Sequence, residues 1–170
     1  MIALLLLVSG MMRSTPSLGI AEGTCRPQES GPAIMVGVRG LKDRIGNLKL
    51  EVYPANDKDF LADDNVLLSQ GKVFRRVVEP VPTKGPVQLC IRVPRPGSYS
   101  LSLLHDRDGN HKFSLSVDGI GFSANPKLHW SKPKAAEARI EVGSGITSTQ
   151  IILNYRRSLF AFGPLGKTSE

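Results

Sequence analysis

The feature that most constrains this chain is a succession of short segments in which apolar residues strictly alternate, each closed by glycine or proline. In Ala33 to Arg39, Ile34, Val36 and Val38 alternate with Met35, Gly37 and Arg39. In NLKLEVY, Leu48, Leu50 and Val52 alternate with Lys49 and Glu51. A period of two sends alternate side chains to opposite faces of an extended backbone, so both segments read as half-buried strands. The same reading gives strands at Lys72 to Pro82 and Val87 to Val93, then one opening at Tyr99 with Leu101, Leu103 and His105 on one face. Two more follow at Ala136 to Val142 and Ser148 to Tyr155. Turns are expected at Thr83-Lys84-Gly85-Pro86, Pro94-Arg95-Pro96-Gly97 and Gly143-Ser144-Gly145, a supply consistent with 17 glycines and 12 prolines. The one helical candidate is Ala55 to Asn65, with Asn56 as cap and Phe60 and Leu61 as anchors. About seven short strands with almost no helix predict an all-β protein. The expected form is a seven-stranded immunoglobulin-like or transthyretin-like sandwich with a long loop after the fifth strand.

The ends of the chain divide it further. Met1 to Met12, MIALLLLVSGMM, is apolar and too short for a stable membrane span, but suits the hydrophobic region of a secretory signal. Gly19-Ile20-Ala21 supplies small residues for cleavage after Ala21, although the first basic residue, Arg13, follows the apolar run instead of preceding it. The expected organisation is a signal peptide over 1–21, a lead-in over 22–32, the sandwich over 33–155 and a tail over 156–170. The tail, with Leu159, Phe160 and Phe162, either adds an edge segment or frays. For an exported chain the two cysteines, Cys25 and Cys90, are expected to pair. Cys90 lies opposite the apolar face of its strand, where a segment carrying Cys25 can be laid across it. Closing that loop contributes ~4 kcal/mol in the chain-entropy account. The protein is therefore expected to be periplasmic or secreted, with no transmembrane span once the leader is removed.

The formal charge of +7 favours anionic surfaces, yet the basic residues are scattered. Arg75-Arg76, Lys84, Arg92, Arg95, Lys127, Lys132, Lys134 and Arg156-Arg157 form no stripe interleaved with exposed aromatics, so nucleic acid is not an expected partner.

The chemistry-bearing stretch is SYSLSLLHDRDGNHKFSLSVDGIGFSAN, Ser98 to Asn125. Asp106, Asp108 and Asn110 place oxygen side chains at alternating positions of a tight turn, which is how a short loop supplies three ligands to a hard cation such as calcium. A complete loop of this kind wants glycine where His111 stands and a bidentate acid where Val117 stands; Asp118 contributes only if the loop folds back. The same residues serve equally to hold a turn through side-chain-to-backbone bonds. A catalytic arrangement has His105 as base with Asp106 or Asp108 as partner, but Ser102, Ser114 and Ser123 sit in no recognisable nucleophile motif. Gly119-Ile120-Gly121 is followed by no helix and so makes no phosphate cradle. Phe122 is expected to plug the loop onto the core. Trp130, the only tryptophan, is expected to cap the end of the sandwich or to stack on a ligand.

The order G-x-Y-x-L-x-x-x-H-D, then an Asp/Asn-rich turn, then G-x-G-F-S-x-N is carried by Gly97, Tyr99, Leu101, His105, Asp106, Asp108, Asn110, Gly119, Gly121, Phe122, Ser123 and Asn125. Together with a cysteine before the first strand and one in the strand before the central one, it resembles the DUF2141 family of bacterial exported proteins. The resemblance implies an exported β domain and supplies no activity. Where the family's turn reads D-x-N-x-N-G-x-x-D, this chain has His111 for the glycine and Ser114 for the last aspartate, which weakens any implied cation site.

The reading that results is an exported, non-catalytic β-sandwich module. It is expected to bind an envelope component or a partner protein through a loop end that includes His105, Phe122, Ser123, Asn125 and Trp130. The alternatives are a hydrolase using His105 with Asp106 or Asp108, and a structural module stabilised by calcium at Asp106, Asp108 and Asn110. No other cofactor is expected.

Overall fold

The computed structural model describes residues 14–166, and in it alternation becomes burial. β1 (Ala33–Arg39) lies between β4 (Gln88–Arg92), antiparallel to it, and β8 (Ile146–Ile152), parallel to it. A second, larger sheet has the order β10 (Phe162–Pro164), β9 (Asn154–Arg156), β6 (Gly119–Phe122), β5 (Gly97–Asp106), β2 (Asn47–Pro54), β3 (Arg75–Pro80). The two sheets close on one core. Ile34, Val36, Leu89, Ile91 and Ile151 come from the first sheet, and Leu48, Leu50, Val52, Leu101 and Leu103 from the second. Each such side chain contributes about 1.5–3 kcal/mol by leaving water.

The chain is mostly β, as its pattern predicts, but with ten strands among the described residues where seven were expected. The segment expected as one strand over Ser148 to Tyr155 changes sheets at Leu153. The buried Leu153 donates its N–H to the Arg39 carbonyl at 3.0 Å, and β9 then joins the larger sheet. The tail adds β10 to the edge of β9, and β6 forms inside what reads as a long loop. The expected strand from Ala136 begins instead as a 3-10 turn over Ala135–Ala138, followed by β7 (Arg139–Val142). There the Lys134 N–H donates to Glu137 at 2.7 Å and the Ala135 N–H to Asp57 at 2.7 Å, tightening the backbone while Ala135 and Ala138 pack inward.

The helix also differs from expectation. Asn56 and Asp59 close a separate turn, Leu61 adopts a left-handed backbone (φ 63), and α2 (Asp64–Ser69) starts beyond it, capped by Asp63. With that 3-10 turn, α2 covers the outer face of the larger sheet and buries a second cluster of Tyr53, Phe60, Leu67, Phe74 and Phe122. β5 is consequently buried on both faces. Glu51, expected to face solvent from its strand, is 6 % exposed for the same reason.

Cys25 and Cys90 form a disulfide with Cα atoms 5.9 Å apart, and Thr24 bridges to Ile91 beside it. The apolar leader, Met1 to Met12, lies outside the described residues. Ser14 to Gly23 does not: it runs along the outer edge of β3, ending in α1 (Ile20–Gly23), in which Ala21 is exposed. The Arg76 N–H donates to the Gly19 carbonyl at 3.1 Å and the Thr15 N–H to Asp64 at 3.1 Å. No helix among the described residues is long and apolar enough to cross a membrane.

Candidate functional site

β5 and β2 place His105 at the closed end of the sandwich core, fully buried. Its Nε2 lies 2.8 Å from the Ile45 carbonyl, which can only accept, so Nε2 carries the proton. Nδ1 then accepts from the Tyr155 hydroxyl at 2.7 Å, and that oxygen accepts the Lys42 N–H at 3.2 Å. Burial lowers the His105 pKa, against the opposing pull of the Ile45 carbonyl and Asp43. Burial likewise pushes the Tyr155 hydroxyl up to about 12. Asp43 is raised by burial but lowered further by hydrogen bonds from Arg107 and the Ile45 N–H, and ends below its ordinary value. Both ring nitrogens are thus committed within the core, and the pairing of His105 with Asp106 or Asp108 does not form. The nearest carboxylate is Asp43, 3.9 Å away.

The acidic turn is held by its own backbone. Asp106 accepts the N–H groups of Asn110 (3.2 Å) and His111 (3.0 Å). Asp108 accepts the Asn110 N–H at 3.2 Å and its side-chain amide at 2.8 Å. The loop does fold back: Asp118 accepts the N–H of Arg107 at 2.9 Å and of Ser114 at 2.8 Å. His111 keeps the left-handed backbone (φ 64) that glycine would favour. One oxygen from each of Asp106, Asp108 and Asp118 lies within 4.8 Å of the others, so a cation would be drawn to these three, whereas Asn110 turns its carbonyl to the Lys112 N–H.

Ser123 and Asn125 act on the scaffold. β6 and β7 share one edge of β5, and Ser123 fills the gap between them. Its hydroxyl accepts the Leu101 N–H at 2.9 Å and donates to the Ala138 carbonyl. The side-chain amide of Asn125, whose backbone has φ 49, docks on β8, its Nδ2 donating to the Gln150 carbonyl and its Oδ1 accepting the Ile152 N–H. The glycines before them serve close packing: a Cβ on Gly119 would overlap the Tyr155 ring, and one on Gly121 would meet Ile151 and Ile152.

Phe122 and Trp130, by contrast, share an open apolar groove of about 430 Å3. Ile120, Phe122 and Leu128 form its floor. Phe113 (44 % exposed), Leu115 and Trp130 (62 % exposed) form its walls, with Phe162 of β10 edge-on to Phe113 at 6.4 Å. Of the five residues expected to bind at the loop end, these are the two that the structure brings to one groove, Trp130 exposed at its wall and the buried Phe122 beneath it. Phe113 and Leu115 were missed; their signal is an apolar alternation, F-S-L, inside a loop with no strand to bury it.

A second polar assembly, with no signal in the local sequence pattern, lies between β2, β3 and α2. Arg76, 2 % exposed, donates to Glu51 (2.8 Å), Asp64 (2.9 Å) and the Thr15 carbonyl (2.7 Å), while Tyr53 donates to Glu51 at 2.8 Å. Lys49, 3.4 Å from Glu51, supplies the second cation for the two carboxylates, which marks a structural network under the N-terminal segment.

No curated protein and no solved structure matches the chain. The family model of DUF2141, described as an uncharacterised protein conserved in bacteria, matches residues 36–150, more than half of the chain, and the chain belongs to that family.

Proposed function

We propose that the protein is a non-catalytic binding module, exported to the periplasm or beyond the cell. It takes an apolar part of an envelope component or partner in the groove between Phe113, Leu115 and Trp130. The observation that carries this reading is the groove itself: large apolar side chains left open on one surface commonly mark a binding site. Its volume of about 430 Å3 falls within the ~300–1,000 Å3 of small-molecule sites. Export is supported by the leader pattern of residues 1–21 and by the disulfide, a bond that persists in oxidising compartments. The scaffold assumed is an immunoglobulin-like or transthyretin-like sandwich extended by edge strands, supported by two sheets that face one core.

The test is binding of a neutral apolar dye, N-phenyl-1-naphthylamine. Saturable fluorescence enhancement is expected with the native chain, with loss in a Phe113→Ala, Trp130→Ala double variant whose melting temperature is unchanged. Absence of saturable binding by the native chain overturns the reading.

A calcium-stabilised turn is the second reading, favoured by the convergence of Asp106, Asp108 and Asp118. Each of their six oxygens already accepts an N–H. The melting temperature is therefore expected to be equal in EDTA and in millimolar calcium. A rise that vanishes in an Asp106→Ala, Asp108→Ala variant would promote the calcium reading, because a ligand that binds only the folded state must stabilise it.

A further inference from the structure

The groove does not stand alone on its surface. Residues 119–136, which supply its floor and the Trp130 wall, contain Lys127, Lys132 and Lys134 and no aspartate or glutamate. The opposite wall, residues 109–117, carries Lys112 and again no acid. Lys112, Lys127, Lys132 and Lys134 are all exposed, and none of the ion pairs among the described residues involves them. Lys132 reaches the groove lip, with its Nζ 3.2 Å from the Phe60 carbonyl. Arg76, Arg107, Lys72 and Arg139, by contrast, each face a carboxylate. An apolar trough with Lys132 on its lip and Lys112, Lys127 and Lys134 in the segments that line it matches a ligand that is itself divided, apolar along its length and anionic at one end.

We infer that the groove binds a single-chain anionic amphiphile, with the acyl chain between Phe113, Leu115 and Trp130 and the acidic head at the lip carrying Lys132, in the positive field of the neighbouring Lys127 and Lys134. The inference rests on the proposed binding role of the groove and adds the class of ligand. A carboxylate and a phosphodiester head satisfy the rim equally, since an ammonium is a point charge that accepts either. Each methylene placed in the groove tightens binding about fourfold.

Trp130 is the only tryptophan, so its fluorescence reads this site alone in the full chain. The full chain is titrated with dodecanoate, lauroyl lysophosphatidylglycerol and neutral dodecyl maltoside, each below its aggregation concentration. A saturable blue shift is expected for both anionic ligands, at a Kd at least tenfold below that of the maltoside. The tighter of the two identifies a fatty acid or a phospholipid as the source. Decanoate is expected to bind about fifteenfold more weakly than dodecanoate. A K127Q/K132Q/K134Q variant is expected to lose the tenfold preference, whereas K84Q, in the loop before β4, retains it. Equal affinity for charged and neutral ligands overturns the inference and leaves the groove reading standing, as does an anionic preference that survives the triple variant. Failure of all three ligands, where the neutral dye still binds, also overturns the inference alone. Failure of the dye as well removes both.

Discussion

At His105 the fold holds an imidazole neutral by burying it, and the consequence appears in stability instead of chemistry. A group whose proton is held less tightly in the folded state than in the open chain supports folding fully above its ordinary pKa of 6.5, and this support is lost as pH falls below that value. Asp43 and Asp59 are held below their ordinary 3.8 and lose their contributions only at lower pH. The denaturation midpoint is therefore expected to fall between pH 7.5 and pH 5, with a flatter profile in His105→Gln; equal slopes in the two proteins would contradict the assignment. Arg76 gives a larger effect by a different route. Arg76→Ala leaves Asp64 buried without its counter-charge and Glu51 with Lys49 alone, 3.4 Å away, a change that costs ~3–5 kcal/mol. Urea denaturation of the variant checks it. The burial of His105 follows from its place on the apolar face of its strand with Leu101 and Leu103, but the Arg76 role was not legible in the sequence. Arg76 reads there as one of many scattered cations and Glu51 as the solvent face of its strand, because α2 and the N-terminal segment that bury them are not part of the local pattern.

Among the elements, those whose side chains alternate were readable and those whose backbone bends were not. Ile34, Val36, Val38, Leu48, Leu50, Val52, Tyr99, Leu101 and Leu103 all reach the main core as their period requires. The break at Leu153 has no local signal, since Ile151, Leu153 and Tyr155 keep the period and stay in the core while the backbone bonds change sheets. The 3-10 turn at Ala135–Ala138 hides likewise, because alanines at alternate and at third positions cannot be told apart by hydropathy. The N-terminal segment yields a further expectation. Its Ser14, Thr15 and Gly19 satisfy Asp64 and Arg76 along the edge of β3. Cleavage after Ala21 removes all three, at about 1–3 kcal/mol for each buried polar group left unpaired. A chain beginning at Glu22 is expected to unfold at lower urea than one beginning at Ser14. Coincident unfolding curves would show that this segment contributes nothing to the edge.

For the whole molecule, the division of labour follows from topology. The G-x-G-F-S-x-N stretch and the acidic turn form the most specific part of the sequence, and the structure commits most of it to holding β5, β6, β7 and β8 together. The accessible apolar surface arises beside that stretch, where Phe113 from the turn, Trp130 from the following loop and Phe162 from the tail converge. Phe162 reaches the other two only through the pairing of β6 with β9 and of β9 with β10, so Phe122 and Trp130 could be singled out from sequence but their convergence with Phe113, Leu115 and Phe162 could not. The account's central claim, that this convergence is a binding site, is tested most directly by titrating the native chain with N-phenyl-1-naphthylamine beside the Phe113→Ala, Trp130→Ala variant. Saturable enhancement confined to the native protein is the predicted result. Enhancement that is absent from the native protein, or identical in both, would contradict the claim.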